Sequence, residues 1–153
     1  MLKINLCGVK LRNPTILASG ILGVTKPCLD RIGKEGAGAV TIKSLCHEER
    51  SGNPNPTMFS QGEVFLNAVG LPGQGIDNAI KDFKRLDDLS VPVIASIYGY
   101  TPQQFGQVTK KIASLKPALI EVNISCPNIH YGKPYDNDPK LAAEVTKICK
   151  KNA

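Results

Sequence analysis

The sequence predicts an α/β fold in which helices flank a parallel sheet. Short apolar runs that end in small or polar residues alternate with segments of helical periodicity. Four strand-then-helix units of this kind follow one another, and such alternation is typical of parallel sheets with right-handed crossovers. At 153 residues, with 42% hydrophobic and 21% charged residues, the chain matches one globular domain in size and composition.

The individual elements are predicted from apolar periodicity and from the residues that start and stop helices. Thr101 before Pro102, and Asp138 before Pro139, are typical of the first turn of a helix. Residues 45–75 are rich in Gly, Pro and Asn and are predicted to form one long loop, which in a compact domain usually has a function. In chain order, the sequence predicts a short hairpin lid within 2–12, strands at 15–18, 39–42, 91–97 and 119–122, and helices at 27–35, 76–89, 102–115 and 139–151.

Composition and charge argue against several classes of protein. The five cysteines are scattered and never spaced C-x-x-C, which argues against a disulfide framework or a zinc site and favours a reducing, cytoplasmic location. No apolar run is long enough to cross a bilayer and the first residues lack a signal-peptide core, so we expect no membrane association. The net charge of +6 is spread along the chain without interleaved aromatic residues. We therefore expect no nucleic-acid binding, although a mild positive field favours a small anionic ligand.

Small and polar residues follow all four predicted strands of the sheet. The carboxyl ends of parallel strands meet at one edge, where α/β proteins keep their active sites, so we expect these residues to share one site. Lys43 directly closes an apolar strand and faces either a ligand or water. The residues that follow the four strands are Ser19 and Gly20, Lys43 and Ser44, Ser96 and Gly99, and Asn123 and Cys126.

The stretch 121–128 contains the most distinctive chemistry. The amides of Asn123 and Asn128 can pair with the donors and acceptors of a flat polar ring. Cys126 between them can accept or give a proton. The alternative is a buried structural cysteine in a strand-end turn. A Cys–His nucleophile pair with His130 is disfavoured, because neither an orienting third group nor an oxyanion hole can be identified.

Two other kinds of site are also disfavoured. His47, Glu48 and Glu49 are adjacent in a predicted loop and lack helical spacing, so we expect no metal site. No G-x-G-x-x-G follows the first strand and no G-x-x-x-x-G-K occurs. The sequence therefore predicts neither a dinucleotide fold nor a phosphate-binding loop of that type.

Several of these motifs resemble those of the dihydroorotate dehydrogenases. The matching pieces occur in the family's order and at its approximate spacing, and the resemblance extends over essentially all 153 residues. The Cys at the centre of the last piece resembles the soluble class 1 enzymes, because the membrane-associated class has Ser there. The pieces are Ala18-Ser19-Gly20, Ile42-Lys43-Ser44, Gly52-Asn53-Pro54, Asn67-Ala68-Val69-Gly70-Leu71 and Asn123-Ile124-Ser125-Cys126-Pro127-Asn128.

The resemblance implies a (β/α)8, or TIM, barrel that holds FMN over the carboxyl ends of its strands. It implies an oxidoreductase of pyrimidine biosynthesis that converts dihydroorotate to orotate. Cys126 would take a proton from C5 of the substrate while hydride passes from C6 to the flavin. The implied substrate contacts are Lys43, Asn67, Ala68, Val69, Gly70, Leu71, Asn123 and Asn128, and the implied flavin contacts are Ala18, Ser19, Lys43, Ser44 and Asn123.

The chain departs from the family pattern in two respects. Ser96 stands where many members have an Asn that contacts the flavin. The sequence also holds about four of the eight βα units of such a barrel. Residues 1–153 are therefore interpreted as the amino-terminal half of an FMN-binding barrel domain, inactive by itself. The alternative is a non-catalytic half-barrel that serves as an assembly module. A pyrimidine-degrading flavoenzyme is disfavoured, because its catalytic Cys lies on a different loop.

The resemblance leaves the electron acceptor open. Some class 1 enzymes reduce fumarate, and others pass electrons through an iron–sulfur flavoprotein partner subunit to NAD⁺. The sequence has no four-Cys cluster site, so an iron–sulfur centre is expected on another chain. The two edge strands of a half-barrel would be short and apolar, and unpaired apolar edges recruit partners, so we also expect self-association.

Overall fold

The computed structural model describes residues 2–22, 24–126 and 135–153. The elements within these ranges alternate as the sequence predicts, with one additional hairpin. In chain order the strands are β1 (Ile4–Leu6), β2 (Val9–Leu11), β3 (Ile16–Leu17), β4 (Ala39–Thr41), β5 (Met58–Gln61), β6 (Val64–Asn67), β7 (Val93–Ile97) and β8 (Leu119–Val122). The helices are α1 (Lys26–Lys34), α2 (Gly75–Phe83), α3 (Pro102–Ala113) and α4 (Pro139–Asn152), preceded by a 3-10 turn at Tyr135–Asn137.

The predicted parallel sheet is confirmed. Its four strands lie in the order β3-β4-β7-β8, and each neighbouring pair is parallel. The two central strands are buried at every residue, whereas the two edge strands are partly exposed. Because the strands are parallel, their carboxyl ends all lie at one edge of the sheet.

The amino-terminal hairpin is also confirmed, and it covers the opposite end of the sheet. β1 and β2 pair antiparallel and turn at Cys7 and Gly8, which both have positive φ. Leu11 at the end of the hairpin is 2% exposed and packs with Ala39 and Ile94 in a small core cluster of its own. These two partners lie near the starts of β4 and β7, so the hairpin closes the amino-terminal end of the sheet.

The helix starts match the predicted caps. The Thr101 hydroxyl accepts a hydrogen bond from the Gln104 backbone N–H at 3.2 Å. Asp138 accepts bonds from the N–H groups of Lys140 and Leu141 at 2.9 and 3.3 Å. Side chains of this kind satisfy backbone donors that the first helical turn leaves unpaired.

The structure differs from the prediction within 45–89. Residues 58–67, predicted as loop, form the antiparallel hairpin β5–β6, which turns tightly at Gly62 with a φ of +59°. Both runs contain residues that favour strands, among them Phe59 and Phe65, and only two residues separate the runs, which permits a tight hairpin. Helix α2 ends at Phe83 and not at 89, because Lys84 adopts a left-handed φ and the Leu86 N–H then donates to the Leu115 carbonyl at 2.7 Å. Among the described residues, no helix is long and apolar enough to cross a membrane.

Candidate active site

A chain of hydroxyl groups joins the carboxyl ends of the parallel strands. The Ser44 Oγ lies 2.8 Å from the Ser96 Oγ and 3.1 Å from the Ser19 Oγ. The Ser19 hydroxyl also donates to the Ile42 carbonyl at 3.0 Å, and the Asn123 Nδ2 donates to the Ser44 Oγ at 3.5 Å. Each of the four sheet strands thus contributes one side chain to the network, which fixes the relative positions of the strand ends. The expectation that these residues gather at one place is met for Ser19, Ser44, Ser96 and Asn123.

Lys43 lies beside this network and lines a cavity. A Cβ added at Gly20, whose φ is +83°, would lie 3.2 Å from the Lys43 Nζ, so the lysine side chain passes directly over this glycine. The cavity has a volume of about 400 Å³, and its lining also includes Val69, Pro72 and Phe83. Within the part of the chain that the structure describes, the Lys43 ammonium forms no hydrogen bond or ion pair. The cavity therefore combines an apolar lining with one cationic group.

Residues 68–71 are held by a second segment, residues 50–53, which includes Asn53 of a matching motif but for which the sequence predicted no role at the site. Asn53 uses its side-chain Nδ2 to donate to the Ala68 carbonyl at 2.8 Å and its backbone N–H to donate to the Val69 carbonyl at 3.0 Å. Gly70 has a φ of +79°, and a Cβ there would lie 2.6 Å from the Asn53 side chain. Glycine is therefore required at position 70 both by conformation and by space.

The same segment is fixed from two further sides. The Arg50 Nε donates to the Gly70 carbonyl, and the buried Tyr98 hydroxyl donates to the Leu71 carbonyl at 3.3 Å. Burial raises the pKa of Tyr98, which keeps its hydroxyl protonated as a donor. Four successive carbonyls, from Ala68 to Leu71, thus accept hydrogen bonds from elsewhere in the chain.

Three backbone N–H groups of the segment differ from its carbonyls, whereas the Ala68 N–H donates to the Thr57 carbonyl at 2.8 Å. In the described ranges, no acceptor receives the N–H of Val69, Gly70 or Leu71. Gly70 and Leu71 both have positive φ. Successive N–H groups in turn conformations of this kind form concave sites that favour anions.

The remaining predicted site residues differ in how firmly the surrounding structure holds them. Asn123 directly follows β8 and is fixed by its N–H, which donates to the Ile97 carbonyl at 2.8 Å. Cys126 is partly buried and packs against the main core cluster. Asn67 ends β6 and is exposed, as is Ala18 after β3. Asn128 and His130 lie outside the described residues, so their predicted roles stay predictions.

Two other cysteines, Cys46 and Cys149, lie in the core and not at this site. Burial raises the pKa values of the Cys46 and Cys149 thiols, whose side chains belong to the main core. No group of three His, Cys, Asp or Glu residues within 2–22, 24–126 and 135–153 could hold a metal ion. Arg50 and Asn53 lie in the Gly- and Pro-rich run that faces residues 68–73. Their position in that run is the sequence feature from which a role at the site could have been predicted.

Comparison with known proteins gives one consistent family. The family model described as dihydroorotate dehydrogenase matches residues 1–153. The catalytic subunit of dihydroorotate dehydrogenase B (NAD(+)) from Methanocaldococcus jannaschii is 42% identical over 156 residues, which cover 99% of this chain and 51% of the relative. The proteins of the same name from Methanosarcina mazei and Geobacter sp. strain M21 are 42% and 37% identical, with 95% and 99% of this chain covered and 47% and 50% of each relative. The chain thus spans about half the length of the curated relatives that it matches.

Proposed function

We propose that this chain, which belongs to the dihydroorotate dehydrogenase family, forms the amino-terminal half of an enzyme that oxidises dihydroorotate to orotate in pyrimidine biosynthesis. The observation that carries the proposal is the convergence, at one end of the sheet, of Lys43, Asn123 and the three N–H groups of 69–71, which have no acceptor among the described residues. Cys126 follows three residues after Asn123.

The described residues fit a planar ring with an anionic substituent. The cavity of about 400 Å³ is mainly apolar, and the Lys43 ammonium lacks a partner among the described residues. Gly20 allows the lysine side chain to lie close against the backbone. We propose that the flavin is FMN and that Ala18, Ser19, Lys43, Ser44 and Asn123 hold its ring. When bound, FMN would supply the acceptor for the substrate's hydride.

The substrate is proposed to bind through amides and backbone donors. Orotate and dihydroorotate carry a carboxylate, and the N–H groups of Val69, Gly70 and Leu71 form a suitable anion site. The amides of Asn67, Asn123 and Asn128 would pair with the ring's N–H and C=O groups, and Ala68 completes the segment. Lys43 would stabilise negative charge on the reacting ring.

Cys126 is proposed as the general base. Its thiolate would accept the proton from C5 of dihydroorotate while the hydride leaves C6, so that the two electrons of the C6–H bond leave with the hydride and a C5–C6 double bond remains. The Cys126 side chain is partly buried against the core, which holds it in place after β8.

Three finer expectations belong to the same proposal. The relatives are named catalytic subunits, and we propose that a partner subunit carrying an iron–sulfur centre would receive the electrons. We propose a cytoplasmic location, from the scattered cysteines. The half of the barrel outside this chain would grip the FMN phosphate, so the chain alone should retain FMN poorly.

The test produces this chain together with the carboxyl-terminal half of the M. jannaschii relative and measures flavin reduction by dihydroorotate in stopped flow. Cys126→Ala should abolish reduction, and Cys126→Ser should leave slow reduction that rises with pH, because a hydroxyl is a poorer base. Cys28→Ala is the matched control, since Cys28 is exposed on α1. Reduction of the flavin by the Cys126→Ala variant at the parent rate would refute the assignment.

A second candidate function is that of an assembly module, and one observation favours it. A cleft of about 830 Å³ is lined by residues of β8, α3 and α4, including Leu119, Val122, Ala113 and Cys149. Among the described strands, β8 pairs with β7 alone. An unpaired edge beside an apolar cleft can accept a further strand. Light scattering that shows a monomer at all micromolar concentrations would count against self-association.

A further inference from the structure

Arg50 contacts three separate parts of the structure through one guanidinium group. Its Nε donates to the Gly70 carbonyl, its Nη1 donates to the Tyr100 hydroxyl at 3.3 Å, and its Nη2 lies 3.5 Å from the Asn53 Oδ1. Its backbone pairs with Gly73 in both directions at 2.8 Å. Arg50 therefore connects the 50–53 segment, the 68–73 segment and the chain that leaves β7.

The contact with the Gly70 carbonyl has a geometric consequence. In a planar trans peptide, the C=O of one residue and the N–H of the next point in opposite directions. Because Arg50 holds the Gly70 carbonyl, the N–H of Leu71 points away from Arg50. Asn53 acts in the same way on the carbonyls of Ala68 and Val69, and so orients the N–H groups of Val69 and Gly70.

The contact with Tyr100 links Arg50 to two further tyrosines, Tyr98 and Tyr135. The Tyr135 hydroxyl donates to the Tyr100 carbonyl at 2.9 Å. Tyr100 also packs edge-on against Tyr98, with ring centroids 6.0 Å apart, and Tyr98 bonds the Leu71 carbonyl.

We infer that Arg50 is a positioning residue that aims the N–H of Leu71 at the substrate's carboxylate, without touching the substrate itself. This inference rests on the proposed function and deepens it. A lysine cannot replace the guanidinium, because a single ammonium cannot span the Gly70 carbonyl and the Tyr100 hydroxyl in a fixed plane. Orotate affinity and substrate KM should therefore depend on Arg50, whereas kcat should change little, since the base lies on a different segment.

The experiment has two arms. In the first, hydrogen exchange is measured on this chain without ligand, for the parent, Arg50→Ala, Arg50→Lys and Tyr100→Phe. Exchange should rise at the amides of Asn53 and Gly73 in both Arg50 variants, and β4 and β7 should be unaffected. The control is Arg85→Ala, because Arg85 is an exposed residue whose guanidinium bonds only Asp87 among the described residues.

In the second arm, orotate is titrated into the flavin-loaded assembly used to test Cys126. Arg50→Ala should weaken orotate binding by about tenfold or more, the range expected for a lost hydrogen bond from a charged donor. Arg50→Lys should recover little of this loss. Free guanidinium ion at millimolar concentration should restore the affinity of Arg50→Ala, which a general structural defect would not allow. Tyr100→Phe should have a smaller effect that is not additive with Arg50→Ala.

The outcomes distinguish a failure of the proposed function from a failure of the positioning role of Arg50. If the parent assembly neither binds orotate nor oxidises dihydroorotate, the proposed function fails, and the exchange arm alone decides whether Arg50 fixes the 68–73 segment. Unchanged exchange at Asn53 and Gly73 in Arg50→Ala would overturn the inference. So would an orotate affinity within about twofold of the parent, because a loss of this size lies below that of one hydrogen bond.

Discussion

The two antiparallel hairpins are similar in length but differ completely in burial. Hairpin β1–β2 packs Leu11, which is 2% exposed, against the amino-terminal end of the sheet. Hairpin β5–β6 lies at the other end and is exposed at every residue. Its Phe65 is 75% exposed, and Met58, Phe59, Val64 and Leu66 are each more than half exposed.

The difference shows that an apolar hairpin is not by itself a structural element of the core. Buried apolar area stabilises the fold, whereas contiguous exposed apolar area marks a surface that contacts something else. β1–β2 therefore belongs to the folding unit, and β5–β6 is rooted in the site segment through the Ala68 N–H, which donates to the Thr57 carbonyl at 2.8 Å. Two experiments test this comparison directly, and two more test the ends of the sheet beside which the hairpins lie.

The largest expected effect is at the buried hairpin. Leu11→Ala should lower the free energy of unfolding by about 2–5 kcal/mol, because it removes a buried side chain and leaves a cavity. Urea denaturation followed by circular dichroism measures the change. Leu2→Ala is the matched control at a site that is 77% exposed, and it should change stability by less than about 0.5 kcal/mol. Equal losses of stability at the two leucines would show that the burial of Leu11 in hairpin β1–β2 does not stabilise the fold.

A smaller loss is expected at the hydroxyl network of the carboxyl ends. Ser96 is fully buried, and Ser96→Ala removes its 2.8 Å contact with Ser44. Stability should fall by about 1 kcal/mol, since one neutral hydrogen bond is lost. The exposed Ser51 provides the control in Ser51→Ala. An unchanged urea midpoint for Ser96→Ala would mean that the network does not hold the strand ends.

The exposed hairpin should contribute to association and hardly to stability. Phe65→Ser and Leu66→Ser should each change the free energy of unfolding by less than about 0.5 kcal/mol. Both should reduce self-association in light scattering, because they remove exposed apolar area. A marked loss of stability in either variant would show that β5–β6 is part of the core after all.

The smallest effect concerns acid stability near the amino-terminal end of the sheet. Hydrogen bonds from the Lys34 ammonium and from Ser90 hold the pKa of Asp30 at about 2, below the ordinary value of 3.8 for an aspartate. A lowered pKa stabilises the fold above the unfolded value and loses that contribution as the pH falls from about 3.8 to about 2. Asp30→Asn should flatten this acid limb in urea midpoints measured across that range. An acid limb identical to that of the parent would exclude Asp30 as its source.

Local signals in the sequence were sufficient for most of the fold. The four parallel strands and the Thr101 and Asp138 caps follow from apolar runs and from residues whose chemistry acts within one turn. The β5–β6 hairpin was missed because its two short apolar runs do not alternate with polar residues and lie inside a Gly- and Pro-rich stretch whose composition favours loop. The early end of α2 was missed because a tertiary contact, from the Leu86 N–H to the Leu115 carbonyl, competes with the helix.

The candidate site was predictable only in part. Residues that follow strands could be grouped from topology alone, which is why Ser19, Ser44, Ser96 and Asn123 meet as expected. The role of Arg50 depends on carbonyls that lie 20 residues away in sequence, and no periodicity reveals such a pair. The roles of Cys126 and Asn128 stay predictions that rest on the motif.

The hydroxyl network also has a proton order that its heavy atoms do not determine. Asn123 donates to the Ser44 oxygen and the Ser19 hydrogen points to the Ile42 carbonyl, so the Ser44 hydrogen can point either to the Ser19 oxygen or to the Ser96 oxygen. The two arrangements place the Ser44 dipole in opposite directions while every atom heavier than hydrogen stays where it is. The strand ends can therefore respond to a change in charge beside them by turning the O–H bonds of Ser44 and Ser96, without any movement of the backbone.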